Sequence, residues 1–286
     1  MQLAIVTYAN LPNLADDDRL LIPALAPYGI TASPAIWNDP TIDWRTFDAV
    51  LLRSTWDYHR VVPRFLTWLD HLTHAVAHIL NPPAIVCWNT DKVYLRQLAE
   101  AGVPVIPTHW GTSETDLATI MTKKGWDSVI VKPRHGATGE GAWTATLDDL
   151  PTQPHPLDFH MIQPIMPQIA AGELSLVYFG GVYSHTILKR AKAGNLFVQV
   201  EHGGTEESYT ASDDLIAQGK HVLDTAATQQ NTSSGAFCYA RVDGILVDGV
   251  LRLMELELIE PSLSLHLVPT APFHFARTIA AQLGQN

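Results

Sequence analysis

The sequence predicts a mixed fold, α/β at its start and α+β beyond, and three observations carry that expectation. Over residues 1 to 82, short apolar strands alternate with helical stretches, the pattern of a parallel sheet covered by helices. From Glu173 onward the strand-like segments follow one another closely, with Gly180-Gly181 as a hairpin turn. Near the C-terminus two long strands, Phe237 to Val247 and Val250 to Ile259, carry charges at alternating positions. Side chains two apart on a strand share a face. Arg241 therefore stands beside Asp243, and Glu255 beside Glu257, with Glu260 close behind.

Composition narrows the class. The 286 residues suffice for two or three compact units, and 47% hydrophobic against 16% charged residues argues for a packed chain over a disordered one. A formal charge of −11 argues against a nucleic-acid or anionic-membrane partner, while leaving room for a local basic pocket. Cys87 and Cys238 match no metal or disulfide spacing, which favours a reducing, cytoplasmic setting. No leader is legible before the first strand, and no apolar run is long enough for a membrane span.

In chain order, Leu3 to Tyr8 reads as a buried strand and Asp16-Asp17-Asp18 as the acidic first turn of a helical stretch to Tyr28. Strands at Ile36-Trp37 and Ala49 to Leu52 and a helix from Pro63 to Ala75 complete the first unit, with Asn81-Pro82-Pro83 as its boundary. His71, His74 and His78 are expected on one helical face, a spacing that better suits a wet face than a metal site, because the glutamate of a zinc-protease motif is missing. Asn89 or Thr90 is expected to cap a helix running to Ala101 and closed by Gly102. Lys92 then falls in the first turn, where the helix dipole disfavours a cation unless an anion is bound nearby. Val103 to Pro107 reads as extended and Ser113 to Lys124 as helical. Val129 to Pro133 follows as a strand, then Asp158 to Ile165, Glu173 to Phe179, Val182 to Leu188 and Leu196 to Val200. Ser212 to Thr228 and Pro272 to Leu283 read as helices.

Several of these pieces carry chemistry. Glu255 and Glu257 on one face of an apolar strand repel each other and lose hydration, so a hard cation such as Mg²⁺ is expected to join them; a solvated acidic edge is the bland alternative. Lys132 ends a strand and feeds a glycine-rich loop, Gly136-Ala137-Thr138-Gly139-Glu140-Gly141. Gly136 and Gly141 have P-loop spacing, but Ala142-Trp143 stands where Lys-Ser/Thr is required, and the dinucleotide fingerprint fails as well. A flexible phosphate cover remains. Lys189, Arg190 and Lys192 form the densest basic cluster of this acidic chain, with His202, Gly203 and Gly204 after it, an expected anion pocket. Arg53-Ser54-Thr55-Trp56-Asp57-Tyr58 follows a strand of the first unit, where open α/β sheets bind ligands, and the Arg53 fork could clamp a carboxylate. A capped helix entry with Trp56 in the core is the other reading of that segment.

Lys92, Lys132 with its loop, Gln163-Pro164-Ile165 followed by Glu173, and Arg241/Asp243 with Glu255/Glu257 stand in an order that resembles the ATP-grasp superfamily of carboxylate–amine ligases. The resemblance spans nearly the whole chain and lies in the branch of glutathione synthetase and the ribosomal-protein glutamate ligase. Arg53 to Tyr58 and Trp88-Asn89-Thr90-Asp91-Lys92 are more similar to the ATP-grasp cyclo-ligases that close O-ureido-D-serine into D-cycloserine. The resemblance implies an ATP-grasp fold behind a Rossmann-like domain: residues 1–82 for substrate, 83–165 with linker helix and lid, and 166–286 with the metal strands. It implies Lys92 and Lys132 on the α- and β-phosphates, Gly136 to Gly141 as the lid, Gln163, Pro164 and Ile165 as the adenine hinge and Glu173 on the ribose. It further implies Asp243, Glu255 and Glu257 on two Mg²⁺ ions, with Arg241, Lys189 and Arg190 at the transferring phosphoryl group. Arg53, Thr55, Trp56, Tyr58, His202 and Gly203 are expected around a small amino-acid-like substrate. Family members usually carry Glu-x-Asn where Glu255-Leu256-Glu257 stands, which adds one negative charge. The expected activity is ATP-dependent ligation through an acyl phosphate. The rivals are an intermolecular ligase like glutathione synthetase and a non-catalytic ATP-binding regulatory module. Strand edges leave room for a homodimer.

Overall fold

Apolar, largely buried strands at Gln2–Thr7 (β1), Thr31–Ile36 (β2), Ala49–Ser54 (β3) and His78–Leu80 (β4) pair in parallel in the order β2-β1-β3-β4. The structure is a computed structural model that describes residues 1–150, 156–192 and 203–285, so the expected strand at Leu196 to Val200 and His202 lie outside the described residues. Helices Asp16–Arg19 (α1), Leu21–Leu25 (α2) and Val62–Ala75 (α3) flank this sheet. On one face Val62–Ala75 buries Phe65, Leu69 and Leu72, spaced four and three apart, against Trp37 and Leu52.

Pro83–Asn89 (α4) and Tyr94–Glu100 (α5) link this unit to the next. The single helix expected between Asn89 and Ala101 is therefore two. Asn89 does not cap a helix start. It closes α4, and its side-chain amide reaches across to β13 (Val250–Glu257) and beyond, donating to Leu256 O at 2.8 Å and accepting from Leu258 N at 2.9 Å. Lys92 consequently precedes the helix start, and its position calls for no helix-bound anion.

A four-stranded antiparallel sheet follows, His109–Trp110 (β5), Ser128–Pro133 (β6), Trp143–Thr146 (β7) and His160–Pro164 (β8), ordered β5-β8-β6-β7 and backed by Leu117–Lys124 (α6). That helix starts at Leu117 because Asp116 caps it, accepting from Thr119 N at 2.7 Å, and it stops at Gly125, which adopts φ +66°.

The third sheet holds Glu173–Phe179 (β9), Val182–Arg190 (β10), Thr205–Tyr209 (β11), Tyr239–Val247 (β12) and β13, antiparallel in the order β11-β10-β9-β12-β13. Gly180 and Gly181, at φ +57° and +74°, make the tight β9–β10 turn with the left-handed backbone such hairpins require. Asp213–Gln229 (α7), capped by Ser212 and led by Asp213 and Asp214, lays Leu215, Val222, Leu223 and Ala226 on one face of this sheet. Ala271–Gln282 (α8) packs Phe275, Ala276 and Ile279 into a core shared between the first and third sheets. The Phe179 and Phe275 rings stack there with centroids 4.5 Å apart.

Candidate active site

A cleft of about 660 Å³ opens between the second and third sheets, with Leu11, Asp17, Trp56 and Tyr58 of the first unit at its side. Its floor is the β12–β13 pair. Register sets Arg241 opposite Glu257 and Asp243 opposite Glu255, so the four charged side chains expected to share a face do so. The register slips by one residue between Asp243 and Gly244, and a Cβ at Gly244 would lie 2.5 Å from the Arg252 carbonyl. The glycine is what lets the two strands approach at that bulge.

Arg241 is buried between two carboxylates, with Nη2 2.8 Å from Asp243 Oδ2 and 2.5 Å from Glu257 Oε1. Burial pushes both acids up, but Arg241 bears on them unequally. Asp243 ends at about 2, held down by a fork of hydrogen bonds from the guanidinium. For Glu257, burial prevails and the carboxyl is raised to about 7 despite the same arginine. The floor is thus short of positive charge. Lys92 pairs with Glu255 and donates to Gly136 O at 2.7 Å. Burial alone would lower its ammonium, but Glu255 reverses that and holds it above the ordinary lysine value.

Lys132, at the end of β6, has no ion-pair partner among the described residues, and burial lowers its pKa. A desolvated cation without a protein acid is one that an anionic group entering the cleft could satisfy. Lys189 lines the cleft 3.7 Å from Glu173, whose carboxyl burial raises. Gly136, Ala137, Thr138, Gly139 and Glu140 lie along the cleft as one wall. Glu140 meets Arg60 at 2.6 Å and His59 at 3.2 Å, tying the loop to the first sheet's unit. Gln163, Pro164 and Ile165, at the end of the neighbouring strand β8, also line the cleft. Gln163 is buried and donates to Thr108 Oγ1 at 3.0 Å, and the Ile165 N–H is committed to Ser128 O, also at 3.0 Å.

Not every expected site residue arrives there. Arg53 does not face the cleft: it is 1% exposed, with Nε 2.8 Å from Asp18 Oδ1 and Nη2 donating to Pro261 O at 2.6 Å. All six residues of β3 are buried, so a cation at its end finds its acid inside the protein. Thr55 is fully buried as well, whereas Trp56 and Tyr58 do line the cleft. Arg190 points away from Lys189, as strand alternation demands, and pairs with Glu207 on β11 outside the cleft. Gly203 is exposed against the Lys192 side chain, and neither it nor Gly141 lines the cleft.

Other residues reach the cleft without having been assigned to the site. Asp17 and Glu206 flank His266 at 3.2 and 3.4 Å, bringing together residues from α1, β11 and the short turn after β13. Burial raises the Asp17 carboxyl above its usual value. Glu260, three residues beyond Glu257, also lines the cleft; burial, with Glu257 next, pushes its carboxyl well above the carboxylate range. Its place behind Glu255 and Glu257 in the acidic stretch was the hint.

Among the described residues no three His, Cys, Asp or Glu side chains are gathered closely enough to cage a metal by themselves. Magnesium does not require that, since it completes its shell with water and phosphate around one or two carboxylates. The all-oxygen donors Asp243, Glu255 and Glu257, on a floor short of positive charge, fit that cation.

The sequence of residues 3–81 matches the family model described as the N-terminal domain of the D-cycloserine synthetase DcsG. The cycloserine biosynthesis protein DcsG of Streptomyces lavendulae is 31% identical over 98% of both chains. A crystal structure of D-cycloserine synthetase DcsG superposes with a TM-score of 0.87 at 28% identity, covering 99% of this chain and all of that one. The D-alanine–D-alanine ligase of Bacillus anthracis solved with ATP matches at a TM-score of 0.66 and 16% identity, over 100% and 97% of the two chains. A RimK-domain ATP-grasp protein of Sphaerobacter thermophilus reaches 0.69 at 15% identity, over 97% and 99%. The last two share the fold, which is ATP-grasp. No helix among the described residues is long and apolar enough to cross a membrane.

Proposed function

This chain belongs to the DcsG family of ATP-grasp ligases, and we propose that it is the Mg²⁺-dependent, ADP-forming member that closes O-ureido-D-serine into D-cycloserine. That it is an ATP-dependent ligase rests on the family; the substrate and the roles of single residues are our reading. The observation that carries it is the juxtaposition of Arg241, Lys92, Lys132 and Lys189 with Asp243, Glu255 and Glu257 in one cleft. We take residues 1–82 as the substrate domain, 83–165 as the linker and lid subdomain, and 166–286 as the subdomain of the metal strands. In support, each of the three sheets falls within one of these ranges.

The chemistry sets what the residues must do. A carboxylate is a poor acyl donor until phosphorylated, so two anions, carboxylate and γ-phosphate, must be held together. Lys92 and Lys132 are suited to the phosphate chain, and Arg241 and Lys189 to charge developing at the transferred phosphoryl group. Mg²⁺ at Asp243, Glu255 and Glu257 would neutralise the phosphates. The Gly136–Gly141 loop would exclude water that otherwise hydrolyses the acyl phosphate. The oxygen-bound nitrogen of the ureido group then attacks the acyl carbon and inorganic phosphate leaves. Its carbamoyl group departs with water as carbamic acid, which balances the product ring. Trp56, Tyr58 and Gln163-Pro164-Ile165 supply the walls for substrate and adenine; Glu173 would meet the ribose.

Incubation with ATP, Mg²⁺ and O-ureido-D-serine, without a second amine, should release ADP and D-cycloserine in equal amounts. Chelation, or Glu255→Gln, should abolish both while circular dichroism stays unchanged. ADP release only when a second amino acid is added would favour an intermolecular ligase, and no ADP release with any substrate would leave a binding module.

A further inference from the structure

The segment that follows the metal strand is held in an unusual way. Four consecutive carbonyls, Ile259 to Ser262, each meet a side chain from elsewhere in the chain. Tyr239 Oη lies 2.7 Å from Ile259 O, Trp56 Nε1 donates to Glu260 O at 3.0 Å, Arg53 Nη2 to Pro261 O at 2.6 Å and Arg241 Nη1 to Ser262 O at 2.7 Å. Asn81 donates to Leu258 O at 2.7 Å just before them, and His185 lies 2.8 Å from Leu263 O just after. An irregular stretch would ordinarily satisfy these groups with water or secondary structure. Here each of the four clasps comes from a buried or half-buried side chain, so the backbone at Glu260 has little freedom and its side chain is aimed from a rigid base into the cleft.

The acids of that cleft are otherwise spoken for. Asp243 and Glu257 pair with Arg241, Glu255 with Lys92, and Glu173 with Lys189. Asp17 and Glu206 flank His266, and at the rim Asp16 and Glu140 meet Arg19 and Arg60. Glu260 alone among the described acids lining the cleft has neither an ion pair nor a side-chain hydrogen bond. It faces Tyr58, whose hydroxyl burial, then Glu260, keep protonated, on the side where the substrate domain contributes Trp56. A pre-positioned carboxyl without an ion-pair partner, beside aromatic walls, is short of the positive charge that would ionise it, and a small organic cation supplies that charge.

We propose that Glu260 is the specificity residue that receives the α-ammonium group of the amino-acid substrate, held in place by the clasps on its own and neighbouring carbonyls. This rests on the reading that the ligase acts on a small amino acid, and it adds which group selects for the amine. Arg53 thereby acts on the substrate through the backbone and not as a clamp on its carboxylate.

The test is calorimetric, on the full chain with Mg²⁺ and a non-hydrolysable ATP analogue. O-ureido-D-serine is compared with its analogue bearing hydrogen in place of the ammonium, and D-serine with D-glycerate. A charge-assisted hydrogen bond should make wild type prefer the amine in each pair by roughly ten- to a hundredfold. Glu260→Gln should reduce that preference to near unity with nucleotide affinity unchanged, and Glu260→Asp should restore part of it. No amine preference in wild type, or a preference that survives Glu260→Gln, overturns the proposal. Failure of the cyclo-ligase reading shows separately, as absence of D-cycloserine from wild type, while the D-serine pair still reads Glu260.

Discussion

Removing the Arg53 guanidinium as Arg53→Met keeps an unbranched side chain of similar length but leaves three groups wanting. Asp18 loses a buried partner at 2.8 Å, Pro261 O loses a donor at 2.6 Å, and the cation over the Tyr239 ring at 4.9 Å is gone. Breaking a buried pair by deleting one partner costs about 3–5 kcal/mol, most of it the stranded charge. An unsatisfied buried carbonyl adds about 1–3 kcal/mol. Ser54 still donates to Asp18, which softens the first figure, so we expect about 4 kcal/mol in total. Pairing the change with Asp18→Asn removes the stranded charge, and the double variant should regain about 2 kcal/mol relative to Arg53→Met alone. Urea denaturation of the four proteins in this cycle measures both quantities. A direct substrate clamp predicts something else: unchanged stability and a kcat/KM loss confined to the amino-acid substrate. An Arg53→Met protein as stable as wild type, or a double variant no more stable than the single, refutes the buried-clasp account.

Lys132→Ala should weaken ATP binding by about 1.5–3 kcal/mol, or roughly ten- to a hundredfold, while leaving amino-acid affinity nearly unchanged, because this lysine has no protein acid to satisfy. Unchanged nucleotide affinity by calorimetry would take Lys132 out of the phosphate site. His185 supplies a pH dependence. Burial lowers its pKa below the usual 6.5, and the neutral ring fits its contacts at Leu263 O and Ser184 Oγ. The unfolded chain therefore binds more protons below pH 6.5, so this contribution is fully present above that value and is lost as pH falls through the folded-state pKa. Urea titrations between pH 5 and 7 should show wild type losing stability on acidification faster than His185→Gln; parallel curves would contradict the assignment.

What could be read from the sequence is what depends on near neighbours. The face shared by Arg241, Asp243, Glu255 and Glu257 follows from a two-residue period, and the hairpin at Gly180-Gly181 from local backbone preference. The same period, applied once more, separates Lys189 from Arg190: the strand aims one at the cleft and turns the other toward Glu207. Arg53 was beyond such reasoning because its partner Asp18 lies 35 residues away and its acceptor 208. A charged residue after a strand of an open sheet looks alike whether it meets ligand or protein. Only the tertiary partner distinguishes the two cases. Asn89 repeats the point, since the residue type that suits a helix cap also suits a bridge to two backbone groups of a distant strand. These misread residues share a destination. Arg53, Asn89 and Asn81 all end on backbone groups between Leu256 and Pro261, the stretch that joins β13 to the Trp56 side of the cleft. Polar side chains spread across the first ninety residues thus hold in place the strand whose carboxylates define the site. A substitution in the first sheet's unit can therefore shift the geometry at Glu257 and Glu260 without touching either side chain, because the clasped backbone has no slack of its own.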